Sequence, residues 1–288
     1  MTKIDDIKLQ MLGKVRRIVT HGGLPHMDDI MACAIAFALG VPHDATIERR
    51  NPKPGELEAL NVLVLDVGGV HDPAHLDFDH HQRPRTAEPK CAFKLFSEWL
   101  GVDEELARLF PWYDTWNLLD VAGPFALAAA MGTTWDKLEG LVANPLSDFV
   151  IRRFADDPSF RQKITLTLAN GLNLTRRSWT SLCEKVVPRS VCGLPVADFT
   201  ACATEEISRC SDTWIRLNRP ACIISKDNRG EGLTILRCND DPRLDFTRCA
   251  GKPYAIFCHP GGFLVKTARR TDDPEVAIRD AMTGEGNG

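Results

Sequence analysis

The chain has 288 residues, with 39 acidic and 35 basic side chains and a formal net charge of -4. This balance excludes a global basic field, so an anionic partner such as a nucleic acid needs local basic patches or a bound metal. At about 100–200 residues per domain, the length predicts two domains.

Three features argue against export and against a membrane location. The stretch MTKIDDIKLQ has no apolar signal core. The longest apolar run, Ile30–Leu39, is shorter than the roughly 20 residues that a membrane span needs. The ten cysteines are scattered without a Cys-x-x-Cys pair, which disfavours a zinc ribbon and a disulfide scaffold. We therefore expect a cytoplasmic protein with reduced thiols and no membrane partner.

The first predicted strand and helix enclose a loop that is rich in polar side chains. The strand is Lys14–Thr20, and the buried helix Ile30–Leu39 ends at Gly40. The loop between them carries two imidazoles and two carboxylates, namely His21, His26, Asp28 and Asp29. An N-cap role accounts for Asp29, but it does not account for two histidines in the same turn.

The next two predicted strands bring a second carboxylate to the same edge of the sheet. They are Ala45–Arg50 and Asn61–Leu65, and the latter leads directly into Asp66 and a glycine turn. Because ligands of open α/β sheets bind beyond the carboxyl ends of the strands, we expect Asp66 to lie close to the loop that begins at His21.

An acid followed by two imidazoles, Asp79-His80-His81, comes shortly after Asp66. Taken alone, these three residues are compatible with a solvated turn. Next to a buried strand that ends on an aspartate, they supply the oxygen and nitrogen donors that hold a divalent metal.

The middle of the chain is predicted to be helical. One stretch, Trp112–Asn117, places Asp114 between two tryptophans. The sequence leaves open whether Asp114 is on an exposed turn or is a buried functional acid.

The pattern changes to short β-type runs after residue 187, and a helix, Pro274–Met282, closes the chain. We place the domain boundary near Val187–Ser190, which gives domains 1–187 and 188–288. Between two of the runs, a glycine turn carries the candidate substrate contacts His259, Gly261, Gly262 and Lys266. Its backbone N–H groups are suited to approach a phosphate, and an ordinary hairpin turn is the alternative.

The ordered segments THGGLPHMDD, DVGGVHDP and DHHQR resemble the DHH phosphoesterase superfamily and, more narrowly, its MYG-type exonuclease branch. The resemblance extends weakly into IFCHPGGFLVKTAR. It implies a doubly wound parallel-sheet domain, a smaller C-terminal α/β lobe across a cleft, and two Mn²⁺ or Mg²⁺ ions. It also implies 3′→5′ removal of nucleotides from RNA or short oligonucleotides.

The resemblance assigns roles to individual residues of this chain. The implied metal ligands are His21, His26, Asp28, Asp66, His80 and a later acid, for which Asp114 fits best and Asp120 second. Asp66 is expected to bridge the two ions, and His81 to contact a phosphate. Asp79 is expected to orient His80 or to approach a metal itself. The expected catalytic group is His81, Asp79 and the neighbouring Arg83.

Two other functions compete with the phosphodiesterase. A small-molecule phosphatase or pyrophosphatase can use the same metal site, because the choice of substrate belongs to the C-terminal lobe. A non-catalytic nucleotide-binding protein is the third interpretation. It is disfavoured because none of the expected ligand positions is missing.

Overall fold

A computed structural model describes residues 2–84, 87–142 and 144–283. The chain divides into two compact units, Met1–Leu174 and Thr175–Gly288. Residues 187–190, where the sequence places the boundary, belong to a strand of the second unit. The assignment of metal binding to one domain and substrate binding to the other stays a prediction.

The first unit contains a five-stranded sheet and a set of helices. Strands β1 to β5 are Arg17–Thr20, Thr46–Arg49, Val62–Leu65, His71–Asp72 and Asp77–Phe78. Helices α1 to α4 are Asp6–Gly13, Met27–Leu39, Ala92–Leu100 and Asp103–Leu109. Helices α5 to α8 are Trp112–Ala122, Pro124–Ala130, Trp135–Val142 and Pro145–Asp156. Helix α9, Pro158–Lys185, runs across the division between the units.

The strand order of this sheet is β2-β1-β3-β5-β4. Strands β2, β1, β3 and β5 pair in parallel, whereas β4 is antiparallel to β5. Every residue of β3 is buried, as expected for an aliphatic run inside a parallel sheet. Helix α2 is apolar nearly all round, and 11 of its 13 residues are buried. A helix of this character belongs in the core, where it packs against α3 and α5.

The second unit contains a six-stranded mixed sheet, in the order β10-β11-β9-β8-β7-β6. Its strands β6 to β11 are Val187–Val191, Leu194–Asp198, Cys222–Lys226, Leu233–Arg237, Ala255–Cys258 and Leu264–Thr267. Helix α10, Thr204–Asn218, connects the parallel pair β7 and β8. Helix α11, Pro274–Ala281, and a 3₁₀ helix, Phe246–Cys249, complete the unit.

Side chains point alternately to the two faces along β8, and each face of this sheet packs into its own hydrophobic cluster. Ile223 packs with Phe199 and Trp214 against α10. Its neighbour Ile224 faces the opposite way, into a cluster with Ile278 of α11. This is the two-residue period of a strand that is buried on both faces.

An α/β architecture with parallel strands agrees with the sequence prediction. The doubly wound arrangement and the cleft between lobes stay predictions. All ten cysteines are free thiols, as expected. Within the described residues, the helices lack the length and the apolar character that a membrane crossing requires.

Candidate metal centre

The centre lies at the carboxyl edge of the first sheet. Thr20, the last residue of β1, is in register with Leu65, the last residue of β3. Leu65 is in turn in register with Phe78, the last residue of β5. The residues that follow, His21, Asp66 and Asp79, therefore leave three adjacent strands side by side. Parallel pairing alone brings together three segments that are far apart in the sequence.

Helix α2 begins one turn after β1, and His26 is its N-cap residue. Asp29 is the third residue of the helix, and its Oδ2 accepts a hydrogen bond from His26 N at 2.8 Å. The N-cap role expected for Asp29 is thus wrong in position, because the helix starts at Met27. The same carboxylate accepts a hydrogen bond from the Thr20 hydroxyl and lies 3.0 Å from His21 Nε2. Asp29 therefore fixes both ends of the loop.

Asp28 is fully buried, and its carboxylate joins α2 to the start of α3. Its Oδ1 and Oδ2 accept hydrogen bonds from Phe93 N and Ala92 N, both at 2.8 Å. These are orphan N–H groups of a helix whose own N-cap, Cys91, makes no side-chain cap. Burial, reinforced by the charges of Asp66 and Asp120, raises the pKa of Asp28 well above its usual range.

Asp66 occupies the centre of the group with a left-handed backbone, φ 59°. This conformation is uncommon outside glycine and is often found at functional sites. Its Oδ2 lies 3.5 Å from His21 Nε2, and its Oδ1 lies 3.0 Å from His80 Nε2. The Oδ1 contact lacks hydrogen-bond geometry, so this buried oxygen has no hydrogen-bond partner among the described residues. An orphaned carboxylate oxygen among imidazoles is suited to a cation.

His80 is the imidazole with the largest number of nearby carboxylates. Its Nε2 lies 3.0 Å from Asp66, 3.3 Å from Asp120 and 3.9 Å from Asp28. Burial opposes protonation of the ring, but the adjacent carboxylates of Asp120 and Asp66 outweigh burial and raise the pKa of His80. A proton on His80 thus balances part of the carboxylate charge around the ring.

Asp79 holds His81, whereas the resemblance implied that it orients His80. Its Oδ1 lies 2.7 Å from His81 Nδ1 and accepts from His81 N, and its Oδ2 accepts from Gly69 N at 2.6 Å. Burial raises the pKa of Asp79, but these backbone hydrogen bonds and the His81 ring lower it below its usual range. The His81 side chain is 60% exposed. Because Nδ1 is engaged, Nε2 is the ring nitrogen left for another partner.

The structure does not bring Asp114 to the centre. Its side chain is 65% exposed and pairs with Lys94 at 3.1 Å. Asp120, on the same helix α5, is 10% exposed and lies 3.5 Å from His26 Nδ1. Asp120 follows Asp114 by six residues, which at about 100° per residue is one full turn plus about 240°. The two acids therefore point in different directions from the helix. Asp120, the second choice of the sequence analysis, is therefore the acid of α5 that lies at the candidate centre, and Asp114 does not.

The position of Asp120 has a signal in the sequence. The buried residues of α5 are Tyr113 and Asn117, and Asp120 continues their spacing of four and three. Asn117 fixes this face by accepting from Cys91 N at 2.9 Å and donating to Pro89 O at 3.0 Å. A heptad-like stripe that contains an acid would have favoured Asp120 over Asp114.

Ligand atoms from seven residues form three overlapping groups within 4.8 Å of one another. The groups are His21, His26 and Asp66; Asp66, His80 and His81; and Asp28, His80 and Asp120. Mixed imidazole and carboxylate donors fit Mn²⁺, Mg²⁺ or another divalent ion. Asp66 belongs to two groups, which is the arrangement needed for a shared ligand.

Arg83 lies one turn beyond the DHH segment, with its N–H donating to His80 O at 3.0 Å. The remaining candidates belong to the second unit. His259 directly follows β10, and its Nδ1 accepts a hydrogen bond from Gly261 N at 3.0 Å inside its own turn. Lys266 pairs with the buried Asp227 at 2.7 Å.

Gly262 has φ 68°, and a Cβ at this position would lie 2.3 Å from Asp245 Oδ1. Only glycine fits here, because a side chain would collide with Asp245. Asp245 in turn caps the 3₁₀ helix by accepting a hydrogen bond from Thr247 N. This geometry favours the ordinary hairpin turn that the sequence left open. The phosphate-binding role of the turn stays a prediction.

Comparison with known proteins points to one family over part of the chain. Residues 17–100 match the model of MYG1_exonuc, described as an uncharacterised protein family (UPF0160). Human MYG1 exonuclease is 31% identical over 122 residues, which are 42% of this chain and 32% of the human protein. Rat MYG1 exonuclease is 44% identical over 71 residues, 24% of this chain and 18% of the rat protein.

The matched stretch thus spans a third or less of the length of these curated relatives. A solved structure, the pGpG-specific phosphodiesterase PggH from Vibrio cholerae, aligns over 92% of this chain and 96% of its own. The identity is 14% and the TM-score is 0.32, an overlap too low to show a shared fold. Residues 17–100 contain every member of the candidate centre except Asp120.

Proposed function

We propose that this chain is a metal-dependent phosphodiesterase of the MYG1 exonuclease type, within the DHH superfamily. Its proposed substrate is RNA or a short oligonucleotide, shortened from the 3′ end. One observation carries the proposal, namely that buried Asp66 is shared between two groups of imidazole and carboxylate donors. The match of residues 17–100 to the MYG1_exonuc model supports it.

The residues that would hold two divalent ions are those of the three overlapping groups, with His81 set apart. They are His21, His26, Asp28, Asp66, His80 and Asp120. When bound, such ions supply an activated water and neutralise the charge of the phosphate. Three carboxylates against the four positive charges of two divalent ions leave the centre one charge positive, which suits an anionic substrate.

His81 is assigned to the substrate. Its ring is exposed, and Asp79 holds it through Nδ1, so its orientation does not depend on a metal. The free Nε2 is placed to contact a phosphate oxygen or to move a proton to the leaving group. Asp79 is a positioning residue, because it acts through His81.

The test compares three substrates, each with Mn²⁺ and with EDTA: a short RNA, a dinucleotide and pyrophosphate. We expect the RNA and the dinucleotide to be cleaved only with metal, and faster than pyrophosphate. Faster cleavage of pyrophosphate would favour a small-molecule phosphatase. No turnover of any substrate by the metal-loaded chain would favour a nucleotide-binding protein.

The variant His81→Ala separates substrate contact from metal binding. We expect both ions to remain and turnover to fall by about 10²–10³-fold, which is typical when one stabiliser of developing charge is removed. Metal content and turnover measured on the same preparation check this. Loss of metal in His81→Ala would assign His81 to the ligands instead.

A further inference from the structure

The loop between β1 and α2 carries His21 and His26 at its two ends, and residues 22–24 in its middle are exposed. The two imidazole rings meet edge to face, with their centroids 5.4 Å apart. Both rings belong to one donor group with Asp66. The path of the loop therefore sets the separation of two proposed ligands.

Arg49 reaches the middle of this loop from the end of β2. Its Nη2 donates a hydrogen bond to Gly23 O. Within the described part of the chain, no other hydrogen bond reaches the backbone of residues 22–25. Asp29 fixes the two ends of the loop, and Arg49 fixes its middle.

The guanidinium of Arg49 is not held there by a carboxylate. Arg49 forms no ion pair with the residues that the structure describes, and its buried Nε has no hydrogen-bond partner among them. An unsatisfied buried donor of a charged group is costly, and an apolar side chain would cover the same surface without that cost. The hydrogen bond to Gly23 O is what the guanidinium adds.

A buried aromatic ring at the end of α8 supports this guanidinium. Arg49 Cζ lies 5.9 Å from the centroid of the Phe154 ring, and Phe154 is fully buried. A second guanidinium, that of Arg161, lies 5.5 Å from the same centroid. Cations are attracted to the face of an aromatic ring. The ring of Phe154 thus helps to hold two arginines.

Arg161 joins the end of α8 to the strand that carries Arg49. Its Nε and Nη2 donate to Phe154 O and Ala155 O, both at 2.8 Å. These are carbonyls of the last turn of α8, which have no partner within the helix. Its Nη1 donates to Ile47 O of β2 at 3.1 Å. The aromatic support is therefore fixed relative to the strand from which Arg49 projects.

We infer that Arg49 is a positioning residue of the metal centre, acting through the carbonyl of Gly23. By holding this carbonyl it sets the separation of His21 and His26. The inference rests on the proposed function and adds to that centre a residue that lies outside the three donor groups. The ring of Phe154 in turn keeps Arg49 at the loop.

The first measurement is the affinity for Mn²⁺, by isothermal titration of the full chain. Arg49→Met keeps an unbranched side chain against Phe154 and removes every N–H group. We expect its affinity to fall by about 10-fold, the lower end of the range for residues that act through a ligand. Arg49→Lys keeps a donor and the charge, and we expect it to lose roughly threefold. A role in packing alone predicts no difference between the two variants.

The second measurement needs neither bound metal nor activity. It follows the ring nitrogen signals of the histidines by NMR in the metal-free, ¹⁵N-labelled chain. In Arg49→Met we expect the signals of His21 and His26 to shift. The signals of His71 and His259, which lie outside the loop, should stay in place.

The matched control is Arg17→Met, the same change at an arginine of β1 that pairs with Glu48 and Glu56. It should leave the Mn²⁺ affinity and the histidine signals as in wild type. An equal loss of affinity in this control would overturn the inference. So would unchanged affinity and unchanged His21 and His26 signals in a folded Arg49→Met.

Thermal melting shows whether each variant is folded. If Arg49→Met does not fold, Arg49→Lys decides the inference, since unchanged affinity and signals in that variant would overturn it. If wild type binds Mn²⁺ but hydrolyses no substrate, the proposed function fails, and the two measurements still decide the role of Arg49. A wild-type chain that binds no Mn²⁺ would overturn both proposals.

Discussion

Two histidine-bearing turns in this molecule differ in what holds them. At the centre of the first unit, His80 faces carboxylates from three separate segments, including Asp28 and Asp120. At the turn of the second unit, His259 accepts a hydrogen bond from Gly261, two residues away. Buried polar groups that come together from distant segments are suited to bind a ligand. Polar groups whose hydrogen bonds are made within their own turn need no ligand.

The largest expected effect concerns the shared carboxylate. Asp66→Asn should lower metal affinity by at least about 100-fold, because changes that act only through a ligand already cost about 10–100-fold. Metal analysis and isothermal titration with Mn²⁺ measure it. The matched control is Asp77→Asn, a buried aspartate on the adjacent strand β5 that lies outside the three donor groups. Full metal occupancy in Asp66→Asn would remove the contrast between the two turns.

The second prediction tests which of the two acids on α5 belongs to the candidate centre. Asp120→Asn should weaken metal binding by about 10–100-fold, less than Asp66→Asn because Asp120 belongs to one donor group. Asp114→Asn, on the exposed side of α5, should leave metal binding unchanged. Titration of the two variants side by side is decisive. A larger effect at Asp114 would show that α5 turns differently in solution.

The third prediction tests the turn of the second unit. Gly262→Ala should lower the free energy of unfolding by about 2–4 kcal/mol, since it combines left-handed strain with displacement of the Asp245 cap. Urea denaturation measures it, and metal content should not change. Gly261→Ala is the control, because its nearest contact is 3.3 Å and it should cost less. A loss of metal in Gly262→Ala would link the two regions that the comparison separates.

The smallest expected effect concerns Asp77, a buried acid without a role at the centre. Burial, aided by the charge of Asp72, raises the pKa of Asp77 to about 7. The unfolded carboxyl releases its proton near pH 4, so between about pH 4 and 7 the folded chain binds the extra proton. Stability therefore falls as pH rises through this window. Asp77→Asn should remove that slope and stabilise the chain at pH 8 by about 1–2 kcal/mol.

Thermal melts at pH 4 and pH 8 check the Asp77 prediction, with little difference between variant and wild type expected at pH 4. A pH-independent difference would mean that the carboxylate is neutralised by a partner. The result also distinguishes the effect of burying an acid, as at Asp77, from the effect of placing an acid among the candidate metal ligands, as at Asp66.

The sequence predicted the parts of the centre that follow from strand order. Once β1 and β3 are recognised as neighbours, His21 and Asp66 must leave the same edge, and the structure places them 3.5 Å apart. Asp120 could not be chosen in the same way, because its position depends on how α5 packs on α2. That packing is a tertiary property, and Asp114 beside two tryptophans gave the stronger local signal.

Short or irregular elements escaped the sequence patterns for physical reasons. Strand β5 has two residues, too few for any period to show, yet it positions Asp79. Strand β6 contains Pro188 and is largely exposed, which local patterns ascribe to a linker. As an edge strand it tolerates proline, because one side makes no ladder hydrogen bonds.

The carboxylate of Asp28 connects the helix packing of the first unit to its candidate metal centre. One carboxylate both belongs to a donor group and receives the two leading N–H groups of α3. Under the proposed function, binding of a cation would therefore also strengthen the attachment of α3 to α2, since a ligand that favours the folded carboxylate adds to the stability of that junction. A chelator would then act as a mild denaturant of this chain.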